Sequence, residues 1–130
     1  MTMTADTIRS HILTGAGLVG YSGAPYRDDA AFPFSDLSKK ILLTMGDGGP
    51  ADEYISQDGC KIILFTKGNA TPADVKQCRD DCETVRQFLI ANYKTGSAFG
   101  IQLIAGIGGP YFDGQNRKAY SLDIRILSNT

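Results

Sequence analysis

The chain carries one histidine and three cysteines, so any acid–base or nucleophilic chemistry has few side chains to draw on. His11 would have to be the base of a Ser–His–Asp or Cys–His arrangement. It lies in a short helical stretch beside Ile12. Ser10, its neighbour, projects about 100° away on a helix, so the pair is not preassembled. His11 therefore reads as a surface or half-buried histidine. Cys78 and Cys82 stand four apart on one helical face and have the geometry for two corners of a metal site. Zinc needs further cysteine or histidine ligands, and only Cys60 and His11 remain. Both helix cysteines also fall on an apolar stripe, where a free cysteine packs as a small hydrophobe. The carboxylates offer pairs without convergence. Asp28-Asp29 and Asp80-Asp81 are adjacent and point different ways, and Asp52-Glu53 lacks the apolar surroundings that raise a pKa for proton transfer. All of these read as solvated surface charge.

Two glycine-rich stretches raise the question of phosphate binding. Gly15-Ala16-Gly17-Leu18-Val19-Gly20 spells G-x-G-x-x-G. The mechanism of that fingerprint needs a strand before it and a helix N-terminus after it, aimed at a pyrophosphate. Here a helix precedes it and Tyr21-Ser22-Gly23-Ala24-Pro25 follows as a turn, so it reads as a connector into a short strand around Leu18–Tyr21. Gly46-Asp47-Gly48-Gly49-Pro50 has no Lys-Ser or Lys-Thr after it and reads as a loop or hairpin tip.

The elements that must position these residues follow from periodicity. Val75, Cys78, Cys82, Val85 and Leu89 recur at gaps of three and four, with Arg79, Asp80, Glu83 and Arg86 off the stripe. Thr71 suits the N-cap, Pro72 the first helical position and Asp74 the first turn. The helix is expected to run to Tyr93, about 22 residues and roughly 33 Å long. Thr4–Leu13 predicts a shorter helix, with Ile8 and Ile12 four apart and Gly15 as its stop. Ile41–Met45 predicts a short strand. Cys60–Thr66 predicts the strongest one, apolar on both faces: Ile62 and Leu64 one way, Ile63 and Phe65 the other. Phe99–Ile107 predicts a strand with Ile104 as its one outward aliphatic, ended by Gly108-Gly109-Pro110. Tyr120–Leu127 alternates cleanly. The last two strands pair across a long connection, Tyr111–Lys118, whose length is of the kind that carries function. Residues 25–38 read as irregular, with Phe32-Pro33-Phe34 plugging one end of the core. The expected architecture is α+β: a mostly antiparallel sheet of four to five strands packed against one long and one short helix.

At 130 residues the chain is expected to be one domain, able to bury a core without a metal or disulfide. A net charge of −1 gives no basic surface for nucleic acid and no acidic tail. No apolar run is long enough to span a bilayer. Met1–Ser10 lacks the apolar core of a secretory signal. Three cysteines without paired spacing fit a reducing compartment.

The order of elements resembles that of the tail terminator proteins of long-tailed bacteriophages and related minor capsid or neck proteins. The landmarks are the opening helix, Phe32-Pro33-Phe34 before the Ile41–Met45 strand, the loop Gly46–Asp58, and the strand Cys60–Phe65 leading into the long helix. The closing pair Ile101–Ile107 and Tyr120–Leu127, with Tyr111-Phe112-Asp113-Gly114 and Arg117 between, completes the likeness over nearly the whole chain. It contains no catalytic motif. The resemblance implies a ring-forming subunit, typically hexameric. Such a ring caps the tail tube, stops its elongation and provides the head-joining surface. It implies no cofactor, no metal and no enzymatic activity. Its partners would be other copies of the chain, the tail tube protein and a head-completion or connector protein. DNA would pass through the channel without sequence-specific binding, in a virion tail or neck assembled in the host cytoplasm. Subunit contacts would then involve Tyr54, Ile55, Ile63, Phe65, Tyr111, Phe112 and Arg117. In one respect the chain departs from this picture, because no charge bias marks a lumen. A head–tail connector and a small ligand-binding regulatory domain are the other readings, with an enzyme using His11 more distant.

Overall fold

The computed structural model describes residues 5–18, 20–24, 40–47, 55–91, 98–104, 106–112 and 117–129. Two helices and six strands follow in the order α1 (Ala5–Gly15), β1 (Tyr21–Ala24), β2 (Lys40–Asp47), β3 (Ile55–Phe65), α2 (Pro72–Ala91), β4 (Ala98–Leu103), β5 (Gly108–Phe112) and β6 (Lys118–Asn129). The strands form one sheet in the order β1-β2-β3-β6-β4, with β5 also on β6. Every pairing is antiparallel except β1 with β2. The expected α+β class is observed, with both helices packed into the core cluster on one face of the sheet.

Alternation along the strands decides what faces those helices. Leu42 of β2, Cys60, Ile62 and Leu64 of β3, and Tyr120, Leu122, Ile124 and Ile126 of β6 meet Ile8 and Ile12 of α1. Cys78, Cys82, Val85 and Leu89 of α2, the stripe read from the sequence, close the same core and are fully or almost fully buried. A second, smaller cluster of Ile41, Leu43, Phe65 and Ala119, with Ile63 against it, lies on the opposite parity. The two-sided character expected of the Cys60–Phe65 segment is therefore present.

The start of α2 is fixed by its own side chains. Thr71 Oγ1 accepts from the Asp74 backbone N–H at 3.2 Å, and Asp74 Oδ2 accepts from the Thr71 N–H at 3.0 Å. This is a reciprocal capping box with aspartate in the usual glutamate place. The backbone hydrogen bond from the Thr71 N–H is the main cause holding the Asp74 carboxyl below its ordinary range.

Several sequence expectations need correction. Tyr21–Ala24 is a strand rather than a turn. β2 runs on to Asp47, and β3 begins at Ile55 rather than Cys60, so Ile55–Asp58 belongs to the ladder with β6 and not to a loop. Ladder pairing with β6 holds Ser56, Gln57 and Asp58 extended, although these residue types carry little strand signal. The Gly108-Gly109-Pro110 break is part of strand β5, which makes six strands where the pattern marked five. The pairing there is irregular, with a register shift between Gly108↔Ser121 and Tyr111↔Ala119. β5 also has no described partner except β6, and proline is tolerated on such an edge. Gly109 has φ 116°, and a Cβ there would stand 2.7 Å from the Ala119 carbonyl oxygen, so glycine is required by both conformation and space. Because β5 pairs as far as Phe112↔Lys118, the connection to β6 is shorter than Tyr111–Lys118. Phe32-Pro33-Phe34, Gly48–Pro50 and Asn92-Tyr93 lie outside the described residues.

Candidate functional site

A cleft of about 340 Å³ opens where the start of β2, the end of β3 and the first turns of α2 come together. Gly20, Lys40, Thr66, Lys67, Asp74, Gln77 and Cys78 line it. The parallel pairing Tyr21↔Lys40 puts β1 and β2 side by side at its edge. There the Lys40 ammonium stands 4.8 Å from the centre of the Tyr21 ring. The Tyr21 hydroxyl donates to Asp81 Oδ2 at 2.8 Å, and Gln77 Nε2 donates to Asp81 Oδ1 at 3.0 Å. Gln77 and Asp81, four apart on α2, thus tie the helix to the short edge strand. Burial, chiefly, pushes the Tyr21 phenol upward, so it stays a donor. Lys67 lies 3.7 Å from Asp74 Oδ2 across the mouth, both partly in water.

The one thiol in the cleft is not an activated nucleophile. Burial pushes Cys78 up to about 11, and its Sγ donates to the Leu64 carbonyl at 3.3 Å. Cys82, deeper on the stripe, is pushed up to about 12 by the same cause. Reactive thiols need the opposite shift. Cys60, Cys78 and Cys82 are all buried and form no disulfide with one another. Among the described residues no three His, Cys, Asp or Glu side chains gather as metal ligands.

His11 lies on α1 with its ring 4.7 Å from that of Phe88, tilted by 43°. Its Nε2 is buried without a hydrogen-bond partner, and desolvation lowers its pKa. Ser10 is exposed, and His11 makes no hydrogen bond to it through Nε2. The G-x-G-x-x-G stretch has a structural account. Gly15 ends α1 where a Cβ would stand 2.6 Å from the Phe88 ring, and Gly17 and Gly20 have φ of 74° and 80°.

The expected contact residues are scattered by the fold. Tyr54 lies outside the described residues. Ile55 opens β3 opposite Asn129, and Phe112 closes β5 opposite Lys118. Ile63 is half-buried and Phe65 is 4 % exposed, both in the second cluster. Tyr111 stands on β5 and is 51 % exposed. Arg117 is the clear correction: it is fully buried, and its guanidinium donates to the Thr66 carbonyl at 2.9 Å. The ladder explains this. The Thr66 N–H donates to the Lys118 carbonyl, and the Lys118 N–H donates to Thr66 Oγ1, so the chain just after Arg117 is drawn against the end of β3. A basic doublet in sequence carries no sign of such pairing. The cleft residues Lys40, Lys67 and Gln77, and Tyr21 beside them, carry no mark in the sequence, because only the β1–β2 and β2–β3 pairings and the packing of α2 on the sheet bring them together. The sole available signal was the Gln77–Asp81 spacing.

No family model matches this chain, and no curated protein matches it at a significant level.

Proposed function

We propose that the chain is a structural subunit of the neck of a long-tailed phage, a tail terminator that works through contacts with other protein chains. In this reading copies assemble into a ring, a hexamer in the family it resembles. The ring caps the tail tube, stops its elongation and offers the joining surface for a head-completion or connector protein. DNA passes through it without sequence readout, and no cofactor takes part. The observation that supports the reading best is the β4–β5 edge. There an interrupted ladder leaves Ile104, just past the end of β4, 55 % exposed and Tyr111 of β5 51 % exposed. Large apolar side chains exposed at a sheet edge suit contact with another chain. A contact between this patch and a different patch on the next copy closes into a ring when the rotation per subunit divides the circle.

Light scattering after size-exclusion chromatography, with and without tail tube protein, tests the proposal. A ring is expected, alone or on the tube end. Ile104→Asp together with Tyr111→Ser should abolish it while leaving the melting temperature within a few degrees, since both side chains are exposed. A strict monomer that neither assembles on tubes nor limits their length would overturn the reading.

A further inference from the structure

We infer that the cleft at the β1–β2 end of the sheet binds a small oxyanion of phosphate size, held between the ammonium groups of Lys40 and Lys67. The inference goes beyond the ring reading and is independent of it, because the ring contact is assigned to the opposite, β4–β5, edge. Lys40 carries the argument. It is half-buried, it lines the cleft, and no carboxylate among the described residues forms an ion pair with it. A cation partly removed from water is stabilised by an anion beside it, and an anion in the cleft would supply that contact.

The lysine is also held in place. Its ammonium lies over the Tyr21 ring, and its Cε stands 3.3 Å from where a Gly20 Cβ would be. Tyr21 is itself anchored to Asp81. Any side chain at Gly20 would press on this arm, and φ of 80° disfavours one there in any case. A positioned ammonium loses little rotamer freedom on binding.

Lys67 supplies the second cation from the other wall. Its nearest carboxylate oxygen, Asp74 Oδ2, already accepts from the Thr71 N–H and from Thr71 Oγ1. Asp74 is thus shared between the helix cap and Lys67, and among the described lining residues two lysines stand against one aspartate. The volume is at the small end of the range for ligand pockets, which suits an inorganic oxyanion rather than a nucleotide.

The test is a titration of the intact chain with inorganic phosphate, followed by amide chemical shifts, with chloride at matched ionic strength as control. Saturable shifts at Gly20, Lys67 and Gln77 are expected. Lys40→Met, which keeps the stem packed on Tyr21, and Lys67→Gln should each weaken binding by about tenfold or more, the loss of one charge-assisted contact. Ile104→Asp should leave it unchanged. No saturation by about 10 mM phosphate, where even a millimolar site is mostly filled, would overturn the inference. So would equal shifts with chloride, or binding undiminished in both lysine variants. If one variant fails to fold, the other decides.

Discussion

Arg117→Met separates two accounts of the last connection. If Arg117 were the exposed half of a basic doublet, its replacement would change stability by no more than about 0.5 kcal/mol. In the structure it is fully buried and donates to the Thr66 carbonyl at 2.9 Å. A hydrogen bond from a charged donor contributes about 1.5–3 kcal/mol, and truncation leaves the buried Thr66 carbonyl short of a donor at a further cost of about 1–3 kcal/mol. Methionine recovers part of this by filling the space of the aliphatic stem. The expected net loss is about 2–4 kcal/mol, a large share of the stability of a domain this size. Urea unfolding measures it. With a slope of about 2 kcal/mol per molar, the midpoint should fall by about one to two molar at unchanged slope. Arg117→Lys should fare little better, because an ammonium does not reproduce the planar fork. A midpoint shift below about 0.3 M for Arg117→Met would refute the interior placement and return this residue to the surface.

Two further outcomes test the core. Cys82→Arg places an unpaired charge on the buried stripe and should cost several kcal/mol or leave the chain insoluble, whereas Thr84→Arg, on the exposed side of the same helix, should be nearly neutral. A soluble, cooperatively unfolding Cys82→Arg protein would mean that the wrong helix face has been assigned to the core. His11 predicts a pH dependence. Its folded pKa lies below the ordinary 6.5 because desolvation disfavours the imidazolium, so the unfolded chain binds more protons there. Its contribution is therefore fully present above pH 6.5 and is lost as pH falls through 6.5 toward the lowered folded value. Urea midpoints at pH 7.5 and 5.5 should differ for the natural chain and less for His11→Gln. An equal difference in both would show that His11 is not the group responsible. Asp74 and Glu83 do not contribute in that window, since their pKa values are lowered from already acidic ones.

Residues whose neighbours are close in sequence could be placed from the sequence. The stripe Val75–Leu89, the Thr71–Asp74 cap and the alternation of Tyr120–Ile126 each depend on spacing within one element, and backbone geometry turns such spacing directly into a face. The two faces of the Cys60–Phe65 segment follow in the same way. Contacts across elements could not be placed. Arg117 and Lys118 look alike in the chain, yet hydrogen bonds to Thr66, some fifty positions earlier, draw the first into the interior. Ser56–Asp58 and Gly108–Pro110 are in strands because β6 supplies ladder partners that outweigh their weak local preference. The cleft is the extreme case. Lys40 and Lys67 become neighbours through the β2–β3 pairing and the packing of α2 on the sheet. Of the described residues of the glycine fingerprint, Gly20 alone lines the cleft wall. Charge, periodicity and capping were set locally by the sequence. Which cation is left facing a cavity was decided by tertiary pairing, because burial and counter-charge depend on residues far apart along the chain.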